Sequence, residues 1–266
     1  MHGESIWRDI AAIRARAPIV HNITNYVVMN NTANALLALG ASPVMAHAVE
    51  EVEDMVGLAH AVGGALVINI GTLSERWIAA MNAAAAAARA RRVPVVLDPV
   101  GVGATPYRTQ TALDLLRAAP PTVIRGNASE IMALAGAAVQ TKGVDSSQAS
   151  DAAVDAARAL AARTGGVVCV SGAVDQLTDG RTVNALASGH PMMTKVTGLG
   201  CTATALIGAF LAVNPDALAA TGHAMAVMGW CGEQAARVAA GPGTLQVQFI
   251  DALHQLNERD VKQRFP

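Results

Sequence analysis

Three short stretches concentrate the residues able to do chemistry: VTGLGC at 196–201, RGNASE at 125–130 and LDPVGVG at 97–103. In the first, Gly198 and Gly200 permit a turn whose main-chain N–H groups face one concavity. A helix beginning near Cys201 would add its positive end. Such a nest stabilises a phosphoryl group in transfer, although two glycines at this spacing also serve as plain helix-start punctuation. A thiol at a helix N-terminus is expected to have a depressed pKa and to accept a proton from an alcohol. In RGNASE, Asn127 or Ser129 can cap a helix, and Glu130 falls in the first turn, where the dipole favours a carboxylate. Capping leaves Arg125 unexplained, a charge on a short apolar strand directly before glycine. An arginine fork suits nucleotide phosphates. In LDPVGVG, Asp98 precedes Pro99, which fixes the turn, while Gly101 and Gly103 let backbone approach a ligand closely. Asp98 is either a carboxylate holding Mg²⁺ through water or a turn aspartate satisfying nearby amides. The spacing is not GxGxxG, so it gives a dinucleotide fold little support. Arg125, Glu130 and Asp98 together would set a cation beside two carboxylates able to serve a metal.

The elements that must position these residues are legible as alternating runs. Short β-branched stretches at 18–24, 42–46, 65–71, 94–101, 122–127 and 166–172 read as strands. Helical patterns at 26–39, 50–62, 74–92, 107–119, 128–136 and 147–164 lie between most of them. This alternation predicts crossover units: an α/β fold, with a mostly parallel sheet between two helical layers. DQLTDGRTVNAL at 175–186 breaks the rhythm, and Asp179-Gly180 marks it as an antiparallel hairpin. After it come the VTGLGC helix and two more, roughly 216–240 and 245–259. No linker, repeat or low-complexity tail interrupts the chain, so residues 1–266 are read as one domain. In open parallel sheets ligands lie beyond the carboxyl ends of the strands, where HNITN, VMAHAVEE, NIGT, DPVGVG, RGNASE and VSG all fall.

Composition narrows the partners. Net charge is −1 and only 3% of the 266 residues are aromatic, which disfavours nucleic acid and points to a small molecule. The 52% hydrophobic content owes much to alanine, as in AAAAAARA at 83–90, and alanine is a helix former rather than a lipid signature. Lys195 and Asp216 bracket twenty uncharged residues, about enough to cross a bilayer. The segment carries three glycines and three threonines and lacks an aromatic margin, which favours a buried helix. Cys169, Cys201 and Cys231 form no CxxC pair, and the N-terminus has no signal-peptide core. A cytoplasmic, non-membrane protein is expected. His21 and His47 have no metal-ligand spacing, and Glu50, Glu51, Glu53 and Asp54 read as a solvated first turn.

TKVTGLGC, RGNASEIMALAG, LDPVGVGAT and ITNYVVMNNTANALLALGASPVM, in that family's order, resemble hydroxyethylthiazole kinases, a branch of the ribokinase-like fold. The resemblance covers essentially the whole chain. It implies phosphoryl transfer from ATP to the primary alcohol of 4-methyl-5-(2-hydroxyethyl)thiazole, a step of thiamine biosynthesis and salvage, with Mg²⁺ required. Carried over by residue, it implies that Met45 contacts the thiazole, that Gly198 sits beside the reacting hydroxyl, and that Arg125 and Ser171 bind ATP. Asn25 would line the thiazole pocket. Asp98 and Glu130 would hold the metal through water, and Gly198, Gly200 and Cys201 would form the catalytic turn. It also implies a homotrimer with active sites between subunits.

Two departures stand out. Many relatives read GTGC where this chain has Gly198-Leu199-Gly200-Cys201, which removes a hydroxyl but no glycine amide. The wider ribokinase-like group has aspartate where Cys201 stands, so the thiol is expected to be a weak base. Phosphoryl transfer tolerates this, because its loose transition state depends mainly on positioning and charge stabilisation. The rival readings are a kinase for another small alcohol, such as hydroxymethylpyrimidine, and a nonenzymatic ATP or thiazole sensor.

Overall fold

The computed structural model describes residues 2–136 and 146–266. Among the described residues eight strands form one sheet: β1 (Ile19–Ile23), β2 (Ser42–Val44), β3 (Ala65–Asn69), β4 (Val95–Asp98), β5 (Val123–Asn127), β6 (Val167–Ser171), β7 (Asp175–Thr178) and β8 (Val183–Leu186). Their order is β2-β1-β3-β4-β5-β6-β7-β8, parallel through β6, with β7 and β8 added as the antiparallel hairpin that Asp179-Gly180 predicts. Every residue of β3 and β4 is buried, as a parallel sheet covered on both faces requires.

The helices are α1 (Gly3–Arg16), α2 (Met29–Leu39), α3 (Val52–Ala61), α4 (Glu75–Arg91), α5 (Pro106–Ala118), α6 (Ala128–Ala135), α7 (Ser146–Thr164), α8 (Leu199–Leu211), α9 (Ala217–Val238), α10 (Pro242–Gln255) and α11 (Glu258–Arg264). Alternate strand residues feed two cores. Val20, Val67, Val96 and Val123 pack with α1, α2 and α8–α11, and Leu66, Ile68, Leu97 and Ile124 pack with α3–α7. The uncharged stretch after Lys195 is α8, laid across the first of these cores. Gly208 permits its close approach, since a Cβ there would meet Val67 at 2.8 Å. No helix among the described residues is long and apolar enough to cross a membrane.

Several boundaries differ from the sequence reading for local reasons. Helix α2 starts at Met29 rather than at 26, because the Asn25 side chain accepts from Val27 N–H in an Asx turn. The last helix divides at Leu256, where Asn257 caps α11 by accepting from Asp260 N–H. A 3-10 turn at Pro191–Lys195, unmarked in the pattern, holds Met192 and Met193 against the core. His21 lies within β1 rather than at its end; it is fully buried and donates to the Ala46 carbonyl at 2.9 Å.

The chain runs from β1 outward to β2 and then returns to β3 on the other side. That reversal makes the carboxyl ends of β1 and β3 the switch point of the sheet, where open α/β folds take their ligands. Asn25 follows β1 and Asn69 closes β3, so both stand at it.

Candidate active site at the carboxyl rim of the sheet

Arg125 occupies the middle of β5, between β4 and β6, and its guanidinium gathers groups from both neighbours. Nη2 donates to Ser171 Oγ at 2.5 Å, and Nη1 lies 3.9 Å from Asp98 Oδ2. A Cβ on Gly200 would fall 2.8 Å from the same Nη1, so the guanidinium rests against the first turn of α8. A cation thus faces the positive end of a helix, an arrangement that a bound anion would relieve.

Asp98 lies beneath, fully buried. Its Oδ2 accepts from Thr204 Oγ1 at 2.8 Å and from Asn69 Nδ2 at 2.9 Å. Burial drives its pKa up to about 6. Arg125 and the two hydrogen bonds pull it down, while the Glu130 charge pushes the same way as burial. Oδ1 is buried with no hydrogen-bond partner among the described residues. Neither Thr204 nor Asn69 was singled out from sequence. Asn69 stood in the NIGT strand end, and Thr204 stands one helical turn after Gly200, to whose carbonyl its hydroxyl is also bonded.

Helix α8 begins at Leu199 with Gly198 as N-cap, at φ 87° and with no side-chain cap. Only glycine fits: that φ is left-handed, and a Cβ would meet Val28 at 2.6 Å. Cys201, the third helical residue, lies half-buried and accepts from Asn25 Nδ2 at 3.5 Å. The same Nδ2 donates to Asn69 Oδ1 at 2.8 Å, so one polar chain joins Cys201, Asn25, Asn69 and Asp98. The expected depression of the Cys201 pKa is overturned. Burial first and the Asp98 charge second push it up to about 11, against the hydrogen bonds from Asn69 and Asn25 and the charge of Arg125. At neutral pH the group is a thiol.

Asn127 caps α6, and its side chain accepts from Glu130 N–H at 3.0 Å. Glu130 Oε2 accepts in return from Asn127 N–H, and Oε1 from Gly101 N–H, each at 2.9 Å. Glu130 therefore ties the ends of β4 and β5 together. Met45 follows edge strand β2, half-exposed, and joins the rim by position rather than by a hydrogen bond to the others; its carbonyl accepts from His47 Nδ1 at 3.1 Å. Cys169 and Cys231 are buried in the core, and burial pushes Cys169 up to about 12.

Among the described residues no three His, Cys, Asp or Glu side chains converge as a metal cluster. The donor set fits Mg²⁺ of the kind carried by phosphates and water, which needs only one or two carboxylates from the protein. Asp98 has an oxygen without a partner among the described residues, and Glu130, buried on the same rim, offers a carboxylate whose two oxygens each accept one main-chain N–H. A cavity of about 520 Å³ among Trp230, Gln234, Arg237, Asn257 and Arg264 shares no residue with this rim.

Residues 10–259 match the model of the hydroxyethylthiazole kinase family. The hydroxyethylthiazole kinase of Syntrophus aciditrophicus is 57% identical over 98% of this chain and 96% of its own length. That of Leptothrix cholodnii is 54% identical over 97% and 94%. The structure of the hydroxyethylthiazole kinase from Pyrococcus horikoshii superposes with a TM-score of 0.88 at 43% identity, covering 98% of this chain and 97% of that one. Pyridoxal kinase from Staphylococcus aureus shares the fold alone, with a TM-score of 0.61 at 18% identity over 82% and 88% of the two chains. Matched over nearly all of its length in this way, the chain belongs to the hydroxyethylthiazole kinase family, on a ribokinase-like α/β fold.

Proposed function

We propose that this chain transfers the γ-phosphoryl group of ATP to the hydroxyl of 4-methyl-5-(2-hydroxyethyl)thiazole. The observation that carries the reading is the Arg125 guanidinium set against the uncapped start of α8, above Asp98 and beside Ser171. Arg125 and Ser171 hold the nucleotide phosphates. The N–H groups of residues 198–201 receive the charge that spreads over the equatorial oxygens as the phosphoryl group moves. The thiazole lies toward Asn25 and Met45, with its alcohol beside Gly198 and Cys201. The alcohol oxygen bonds to the γ-phosphorus, the bond to the β–γ bridging oxygen breaks, and ADP leaves.

Mg²⁺ held through water by Asp98 and Glu130 would neutralise phosphate charge. Cys201 is the residue placed to receive the alcohol proton. With its pKa near 11 it is rarely ionised at neutral pH, so it serves as a weak base. The loose transition state asks little of a base.

A homotrimer with sites between subunits is part of the same reading. Tyr26 and Val27, 68% and 64% exposed, adjoin Asn25 on the rim, and apolar side chains left in water beside a site suit coverage by a second copy. The test is ADP release from purified protein supplied with ATP, Mg²⁺ and a panel of alcohols. Turnover should require all three components and favour the thiazole alcohol over hydroxymethylpyrimidine. Binding in calorimetry without ADP release would make the protein a sensor and end the kinase reading.

A further inference from the structure

Arg108 is the third residue of α5, where a cation opposes the positive end of the helix dipole. Its placement needs another cause, and the main chain supplies one. Nη1 donates to the Ile70 carbonyl at 2.7 Å and to the Val100 carbonyl at 2.8 Å, and Nη2 donates to the Gly71 carbonyl at 2.8 Å. These oxygens belong to the segments that leave β3 and β4.

Two of the peptide groups are held at both ends. In the Ile70–Gly71 peptide, Arg108 takes the C=O while Asn69 Oδ1 takes the N–H at 2.9 Å. In the Val100–Gly101 peptide, Arg108 takes the C=O while Glu130 Oε1 takes the N–H at 2.9 Å. Both opposite partners belong to the rim: Asn69 bonds Asp98 and Asn25, and Glu130 closes the cap of α6. The Asn25 amide packs on Gly71 so closely that a Cβ there would meet its Nδ2 at 2.6 Å. Tyr26 N–H reaches across to Thr72 Oγ1 at 3.2 Å.

We propose that Arg108 is a positioning residue. By fixing the peptide planes that follow β3 and β4, it sets the orientation of Asn69 and Glu130 and, through them, of Asn25 and Asp98. Its effect on turnover rests on the kinase reading, whereas its effect on the backbone does not. A planar fork can serve three carbonyls at fixed angles, and a lysine ammonium, a point charge on a flexible stem, cannot reproduce it.

The test compares R108K and R108A with wild type in steady-state kinetics, thermal unfolding and amide hydrogen exchange. In R108K, kcat should fall about tenfold or more through misplaced groups, while the KM for ATP stays within about threefold. R108A should lose more and recover part of it when guanidinium ion is added at low millimolar concentration. In both, exchange at the Gly71 and Gly101 amides should quicken by about tenfold, with the core strand amides unchanged. The proposal is overturned if R108K keeps kcat within about twofold of wild type. It is equally overturned if the two glycine amides keep their protection, or if all strand amides quicken together, which would mark a purely global destabilisation. Should wild type phosphorylate no alcohol, the kinase reading fails on its own, and the exchange at Gly71 and Gly101 still decides the clamp.

Discussion

Two helices start on the same rim, and they are finished in opposite ways. At α6 the orphan N–H groups are answered from within: Asn127 accepts from Glu130 N–H, and Glu130 accepts from Asn127 and Gly101. At α8 the N-cap is Gly198, which has no side chain to offer. A glycine N-cap forgoes only about a few tenths of a kcal/mol relative to a capping side chain, and 11 of the 13 residues of α8 are buried, so packing holds the helix without one. The closed end ties strand ends together; the open end, with Arg125 against it, is the one the proposed reaction assigns to a phosphate. On that proposal a helix N-terminus gains a binding role where the core, rather than a cap, keeps the helix in place.

The strongest way to break this contrast is to fill the open end. Gly200→Val puts its Cβ into the space of the Arg125 guanidinium, 2.8 Å from Nη1. Turnover should fall by about a hundredfold or more, the scale of losing a main-chain donor to a developing charge. Because Arg125 must move, the KM for ATP should rise as well. Thermal unfolding should change little, since residue 200 lies at the edge of the packed helix. Turnover within about tenfold of wild type would mean that α8 does not cradle the phosphoryl group.

Asp98→Asn sharpens the comparison from beneath. Turnover should drop about tenfold or more through the loss of a buried charge beside Arg125. Stability should move the other way. Burial raises the folded-state pKa of Asp98 from 3.8 to about 6, so the folded protein holds this proton where the unfolded chain has released it. Stability therefore declines as pH rises from about 4 to about 6, by at most about 3 kcal/mol, and the asparagine variant escapes that decline. Melting curves in Mg²⁺-free buffer across that range check it. Parallel curves for the two proteins would remove Asp98 as a charge held at a cost for function.

The contrast between the two helix starts also marks where sequence was informative. Strand ends were readable because β-branched runs stop at polar residues and glycines, and the parallel arrangement brings all of those ends to one rim. The capping box at Asn127 and Glu130 is local, and local spacing announces it. The Cys201 pKa was not readable. Its helix position suggested depression, but burial in the packed fold raises it, and the Asp98 charge that adds to this comes from 103 residues away in sequence. Thr204 and Asn69 meet only at Asp98, and Arg108 meets the ends of two strands that precede it. Those pairings exist only once β3, β4, α5 and α8 are packed.

The smallest expected effect is at Cys201 itself, and it tests whether the open end works by charge or by proton transfer. Serine preserves the helix and a polar group while raising the pKa beyond any useful range. If the thiolate were the working base, Cys201→Ser should cost a factor of about 100 to 10,000, the usual scale of general base catalysis. A wild-type kcat limited by that thiolate would also climb about tenfold per pH unit toward about 11, where the thiol titrates. We expect instead a loss of about two- to tenfold and a kcat that is flat between pH 7 and 9, because the loose transition state needs its charge held before it needs its proton removed. A steep alkaline limb in wild type that disappears in the serine variant would reverse the weighting and make Cys201 the principal base.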